Sequence, residues 1–70
     1  MKEHISNKVY KERAKKNLTQ EELAERVGVT RQTIISIEKG YYTPSILLAL
    51  KIASVFKASV EDIFSISYEK

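Results

Sequence analysis

The sequence predicts an all-α fold, a compact five-helix bundle formed as one domain over residues 1–70. Three observations carry that expectation. Apolar residues recur at helical spacing through most of the chain, capping residues stand at short intervals between those stretches, and the connections left over are too brief to be linkers. A chain of 70 residues buries too little surface to be robust unaided. It has no cysteine, and its one histidine, His4, lacks a partner at ligand spacing, so neither a disulfide nor a structural metal is expected. Economical helix packing or self-association must supply the stability.

Helix one is expected to begin after Ser6 and run through Lys16, with Asn17 in the left-handed stop position that glycine usually fills. In "TQEE" Thr19 is placed to cap helix two and Glu22 to reciprocate three residues later, which starts the helix at Gln20; Gly28 should end it. Thr30 caps helix three, Arg31 to about Lys39, and Gly40 stops it. Only Gly28, Val29 and Thr30 separate these two helices, so they must meet steeply across a tight turn. Ser45, after Pro44, caps a fourth helix reaching Phe56, and Ser59 caps a short fifth through Phe64. Phe64, Ile66 and Tyr68 alternate with polar neighbours at strand period; if the tail is a strand, "EHIS" is its partner, and a short β-ribbon joins the two ends.

On a helical wheel Ile46, Ala49, Leu50, Ala53 and Phe56 form one stripe of helix four, and Leu48, Ile52 and Val55 widen it past half the circumference. Such a helix is expected at the centre of the bundle, covered by helices one, two, three and five. Leu47 fits neither arc. With Val60, Ile63, Ile66 and Tyr68 it makes an apolar surplus that points to a self-association surface.

Net charge is +3, unevenly spread: residues 1–16 hold six Lys or Arg against two Glu, and residues 17–30 one Arg against three Glu. That layout suits a polyanion on one side, although charge alone is equally consistent with a solvated helix face. The longest apolar run, Ile46 to Leu50, is too short to cross a bilayer, and the N-terminus lacks the apolar core of a signal peptide, so a cytoplasmic protein without membrane contact is expected. Glu21, Glu22 and Glu25 complement the dipole of helix two. Without a cleft they are poor candidates for catalysis, and neither enzyme activity, cofactor nor small-molecule ligand is expected.

Helix three carries the functional signal. With Ile34 at zero and about 100° per residue, Ile37 lies close by and the two define a buried side. Gln32, Ser36 and Lys39 fall opposite, Ile35 borders them, and Arg31 projects from the helix start. An outward polar face is ordinary for a surface helix. The surrounding unit is less ordinary: a capped helix, a three-residue turn with glycine and a second capped helix, with Leu23, Ala24 and Val27 as apolar contacts and Ala24 small enough for a steep crossing. Such a unit lets its second helix enter a B-form major groove ~12 Å wide, where Gln can pair bidentately with adenine and Arg with guanine.

The stretch "LTQEELAERVGVTRQTIISIEKGYYTPSILLALKIASVFKASVEDIF", residues 18–64, resembles the DNA-binding domain of Cro and cI type phage repressors, the XRE family of helix-turn-helix regulators. "TQEELA", the turn glycine, "TRQTI", "IEKG", Pro44 and "ALKIA" occur in order with family spacing. The resemblance implies base contact by Gln32, with Arg31 and Ser36 beside it, and a phosphate-binding role for Gln20. It implies backbone contacts by Thr30, Thr33 and Lys39 and one from the following loop, by Tyr41 or Tyr42; Tyr42 is the candidate, since Tyr41 stands where the family often has Lys or Arg. It pairs Glu38 with Arg13 in a partly buried ion pair, and Glu12 replaces a usual apolar residue.

The function implied is a sequence-specific regulator of transcription that binds double-stranded DNA, a repressor acting as a homodimer on a palindromic operator. With no second domain in the sequence, dimer contacts are expected on the bundle or its C-terminal tail. Two other readings remain: an antitoxin-like module whose main partner is a protein, with DNA binding secondary, and a coactivator-like interaction domain that does not read sequence.

Overall fold

Helices begin in this chain where a hydroxyl or amide side chain precedes an apolar run, and the computed structural model, which describes residues 2–69, shows the hydrogen bonds responsible. The order is β1 (Lys2–Asn7), α1 (Val9–Lys15), α2 (Gln20–Val27), α3 (Arg31–Glu38), α4 (Ile46–Val55), α5 (Val60–Ile63) and β2 (Phe64–Glu69). At the start of α2, Thr19 Oγ1 accepts the Glu22 N–H at 3.0 Å while the Glu22 carboxylate accepts the Thr19 N–H at 2.8 Å. Ser45 Oγ accepts the Leu48 N–H at 3.1 Å, and the Asp62 carboxylate accepts the Ser59 N–H at 3.1 Å. Asn17 takes the left-handed conformation at φ 55°, as does Gly28 at φ 76°, where a side chain would be strained.

α1, α3 and α4 each close one residue before the expected end, at Lys15, Glu38 and Val55, and two further boundaries differ for a structural reason. α1 begins at Val9 because Ser6 belongs to β1, where its hydroxyl lies 3.0 Å from that of Ser65; Asn7 Oδ1 accepts the Val9 N–H instead, at 3.1 Å. α5 ends at Ile63 because Phe64 is already extended, at φ −120° and ψ 138°. The fold is therefore helical but not all-α. β1 and β2 pair antiparallel along their whole length, from Lys2 opposite Glu69 to Asn7 opposite Phe64, so the ribbon between the chain ends is a structural element in its own right.

Every helix contributes to the core: Val9 from α1, Leu23 from α2, Ile34 and Ile37 from α3, Ile52 from α4 and Ile63 from α5 are fully buried. α4 joins the common core with residues of every other helix, but through a different face from the predicted stripe. It packs principally against α2 and α5 and buries Leu48, Ala49, Ile52 and Ala53, with Phe56 following, whereas Ile46 and Leu50 are exposed. Its buried face is thus turned by about 60° from the stripe that begins at Ile46. Of the apolar surplus, Ile63 enters the core and Val60 packs against it, while Leu47, Ile66 and Tyr68 stay exposed.

Candidate nucleic-acid interface

Burial of Ile34 and Ile37 fixes the rotation of α3 and turns Arg31, Gln32 and Lys39 into solvent, with Thr33, Ile35 and Ser36 half-buried along the flank. Thr30, Gln32, Thr33, Ser36, Tyr41 and Tyr42 line one shallow depression, so the loop after α3 brings its tyrosines against the outward helix face. Thr30 Oγ1 accepts the Thr33 N–H at 3.3 Å and lies 3.2 Å from the Thr33 hydroxyl. That mutual bond uses one of the two hydroxyl protons. The other remains free to donate outward, as a phosphate oxygen requires.

A second depression, lined by Arg13, Thr19, Gln20, Glu21 and Arg31, lies where the N-terminal ends of α2 and α3 meet. Positive helix ends and unpaired N–H groups favour an anion at such a place. Gln20, however, turns its side chain inward: Nε2 donates to Glu38 Oε1 at 3.1 Å, leaving its second N–H for an outside acceptor. Lys39 is not part of either group. It follows the end of α3, roughly 10 Å along the axis from Gln32, and borders a hollow shared with Glu3 to Asn7 of β1.

Two sets of bonds hold this face in position. Arg13 Nε donates to Glu38 Oε2 at 2.7 Å, a terminal guanidinium nitrogen to Oε1 at 3.3 Å, and the other to the Leu18 carbonyl at 2.8 Å. The Tyr10 ring lies beneath the same guanidinium, 5.3 Å from its centroid. Through this cluster α1, the turn before α2, the start of α2 and the end of α3 are tied together, with the Arg13 and Glu38 side chains only 13% and 7% exposed. Asn7 supplies the second set, its Nδ2 donating to the Ile37 carbonyl at 2.9 Å while Oδ1 holds the first turn of α1. The sequence expectation starts α1 after Ser6, whereas Asn7 makes the bond. An amide side chain two residues before Val9 was the available signal.

The capping bonds also contribute to the acid response. The backbone N–H of Thr19 holds the Glu22 carboxyl below its ordinary pKa, and that of Ser59 does the same for Asp62. Folding lowers both, so their stabilisation is present above the ordinary carboxylate range and is lost as pH falls through the lowered folded values. Glu22→Gln keeps an acceptor at the cap and removes one titration. Its melting temperature should fall less than that of the parent between neutral and acidic pH; identical acid profiles would show that the cap is open in solution.

Among the described residues no group of His, Cys, Asp and Glu could hold a metal ion, and no helix is long and apolar enough to cross a membrane.

A capped helix pair across a glycine turn, with the second helix seated on a small core and its polar face outward, defines a helix-turn-helix protein of the DNA-binding kind. The helix-turn-helix family model HTH_3 matches residues 9–63, and the chain belongs to this family of XRE-type transcriptional regulators. It is 62% identical over 58 residues to an uncharacterized HTH-type transcriptional regulator of Archaeoglobus fulgidus, covering 83% of this chain and 82% of the relative. It is 52% identical over 65 residues to the uncharacterized HTH-type transcriptional regulator YgzD of Bacillus subtilis, covering 93% and 98%. The clp gene regulator ClgR from Corynebacterium glutamicum superposes with a TM-score of 0.73 at 31% identity, over 77% of this chain; the chain spans 57% of that longer regulator. A candidate DNA-binding protein from Bacteroides fragilis shares the fold at a TM-score of 0.79 and 23% identity, over 87% of this chain and 98% of its own.

Proposed function

We propose that the protein is a repressor that binds a palindromic operator as a homodimer, with α3 in the major groove of each half-site and polymerase excluded by occupancy. Arg31, Gln32 and Ser36 read base edges, Gln32 by a two-point bond to adenine and Arg31 to guanine. Thr30, Thr33, Tyr42, Lys39 and the remaining donors of Gln20 grip the sugar-phosphate backbone and set the register. The observation that supports this most is the outward face of α3. Gln32 and Ser36 share one depression with the Thr30 and Thr33 hydroxyls and both loop tyrosines, directly above the buried Ile34 and Ile37.

Selecting random duplexes with the purified protein tests the reading. The expected product is an inverted repeat with half-site centres one turn of DNA apart, ~34 Å. Recovery of duplexes with no shared sequence would remove sequence reading, and recovery of a single unrepeated half-site would remove the homodimer.

A further inference from the structure

β1 and β2 form a two-stranded sheet whose outer edges differ. Lys8 N–H donates to the Ile63 carbonyl at 2.8 Å, and by antiparallel alternation the Ser6–Ser65 and His4–Ser67 pairs exchange the inner bonds. Ile66 and Tyr68 therefore direct their N–H and carbonyl groups away from β1, as does the Phe64 carbonyl. The Phe64 N–H is already given to the Val60 carbonyl. No bond joins the outward groups of Ile66 and Tyr68 to the rest of the described residues. A free strand edge is usually blunted by charge, proline or a bulge. β1 carries Lys2, Glu3 and His4, but Phe64 to Tyr68 contains no charge, proline or glycine.

Side chains repeat the pattern. Glu3, Ile5, Asn7, Phe64, Ile66 and Tyr68 share one face of the ribbon, because directly paired residues point the same way. Asn7 bonds to the end of α3, so this face is turned towards the helices, and Ile5 and Phe64 line an apolar groove with Pro44, Ile46 and Ala49 at the start of α4. Around the groove Ile46, on its wall, and Leu47, Leu50, Ile66 and Tyr68 are each more than half exposed.

We propose that the outer edge of β2 pairs antiparallel with β2 of a second copy of this chain, forming a four-stranded sheet whose apolar face covers the two exposed starts of α4. The proposal rests on the homodimeric reading above and names its surface. About a dyad at Ile66, that residue exchanges both bonds with its own copy, and the Tyr68 N–H donates to the carbonyl of the partner's Phe64. Like groups meet across a dyad, so an isologous strand pair must be free of net charge at its centre. Phe64 to Tyr68 meets that condition and the stretch from Lys2 to His4 does not. Shifting the dyad to Ser67 would bring Glu69 into the overlap. The five exposed side chains offer roughly 400 Å² per protomer, about 800 Å² for the pair before strand backbone and serines are added, against the ~1,000 Å² that a specific interface requires.

Ile66→Pro tests the edge directly, because it removes an outward N–H and leaves the bonds to β1 in place. Sedimentation equilibrium from low to high micromolar should show a dimer for the parent and a dissociation constant raised roughly ten-fold or more for the variant, with the helical circular-dichroism signal of the folded protein retained. Ile66→Lys, which keeps the N–H and sets like charges at the dyad, should do the same. Hydrogen exchange on the unaltered chain gives an independent reading. Protection of the Ile66 and Tyr68 amides should rise with concentration, whereas that of Ser65 and Ser67, already bonded to β1, should not. A dimer as tight in both variants as in the parent, with concentration-independent exchange at Ile66, would overturn the strand edge and leave the homodimer standing. A parent chain that remains monomeric at high micromolar concentration would overturn both.

Discussion

Glu38→Ala is expected to lower folding stability by about 3–5 kcal/mol, because it leaves the Arg13 guanidinium buried without its counter-charge. Arg13 loses two of its bonds in that variant and Gln20 loses its acceptor. Both charged side chains are nearly enclosed, so solvent screening offers little relief. A domain of this length has roughly 4 to 10 kcal/mol in all, so the variant should stand close to unfolding at ambient temperature. Urea titration checks the value through the midpoint, with the slope showing whether the transition remains two-state. Replacing Arg13 and Glu38 together with methionine should recover much of the loss, since the desolvation cost disappears with the charges. An unshifted midpoint for Glu38→Ala would mean that the pair is open to water in solution.

The cluster also marks where reading by sequence reaches its limit. Thr19 with Glu22, Asn17 and Gly28 were legible because the groups that bond or strain them lie within a few residues along the chain. The outward face of α3 was legible for another local reason: two apolar anchors, Ile34 and Ile37, leave only one way to bury the helix. α4 has apolar residues around most of its circumference, and which of them face inward depends on α2 and α5, which its own period does not describe. Gln20 and Glu38 stand 18 residues apart and Ser6 and Ser65 stand 59 apart, so the inward turn of Gln20 and the full length of the sheet are products of tertiary packing. Alternation in the tail suggested a strand. Only the packed chain shows that it displaces Ser6 from the start of α1 and hands that role to Asn7.

Gln32 and Lys39 should separate reading from gripping. Gln32 is exposed above Ile34 and Ile37 and borders the depression that holds Ser36 and the loop tyrosines. A two-point bond to a base edge contributes ~1–3 kcal/mol of discrimination, so Gln32→Ala should weaken binding to the selected operator by roughly 5- to 150-fold and to random duplex hardly at all. Lys39 lies at the far end of α3, beside β1, and the proposed docking assigns it a phosphate rather than a base next to Gln32. Lys39→Ala should weaken operator and random DNA together and lower the slope of log affinity against log salt by about one unit. Both residues are exposed and outside the buried core cluster, and melting of both variants should match the parent. The decisive quantity is the ratio of operator to random affinity, measured at several salt concentrations. If that ratio survives in Gln32→Ala, α3 does not read the operator through this side chain, and the specificity must come from Arg31, Ser36 or the shape of the DNA.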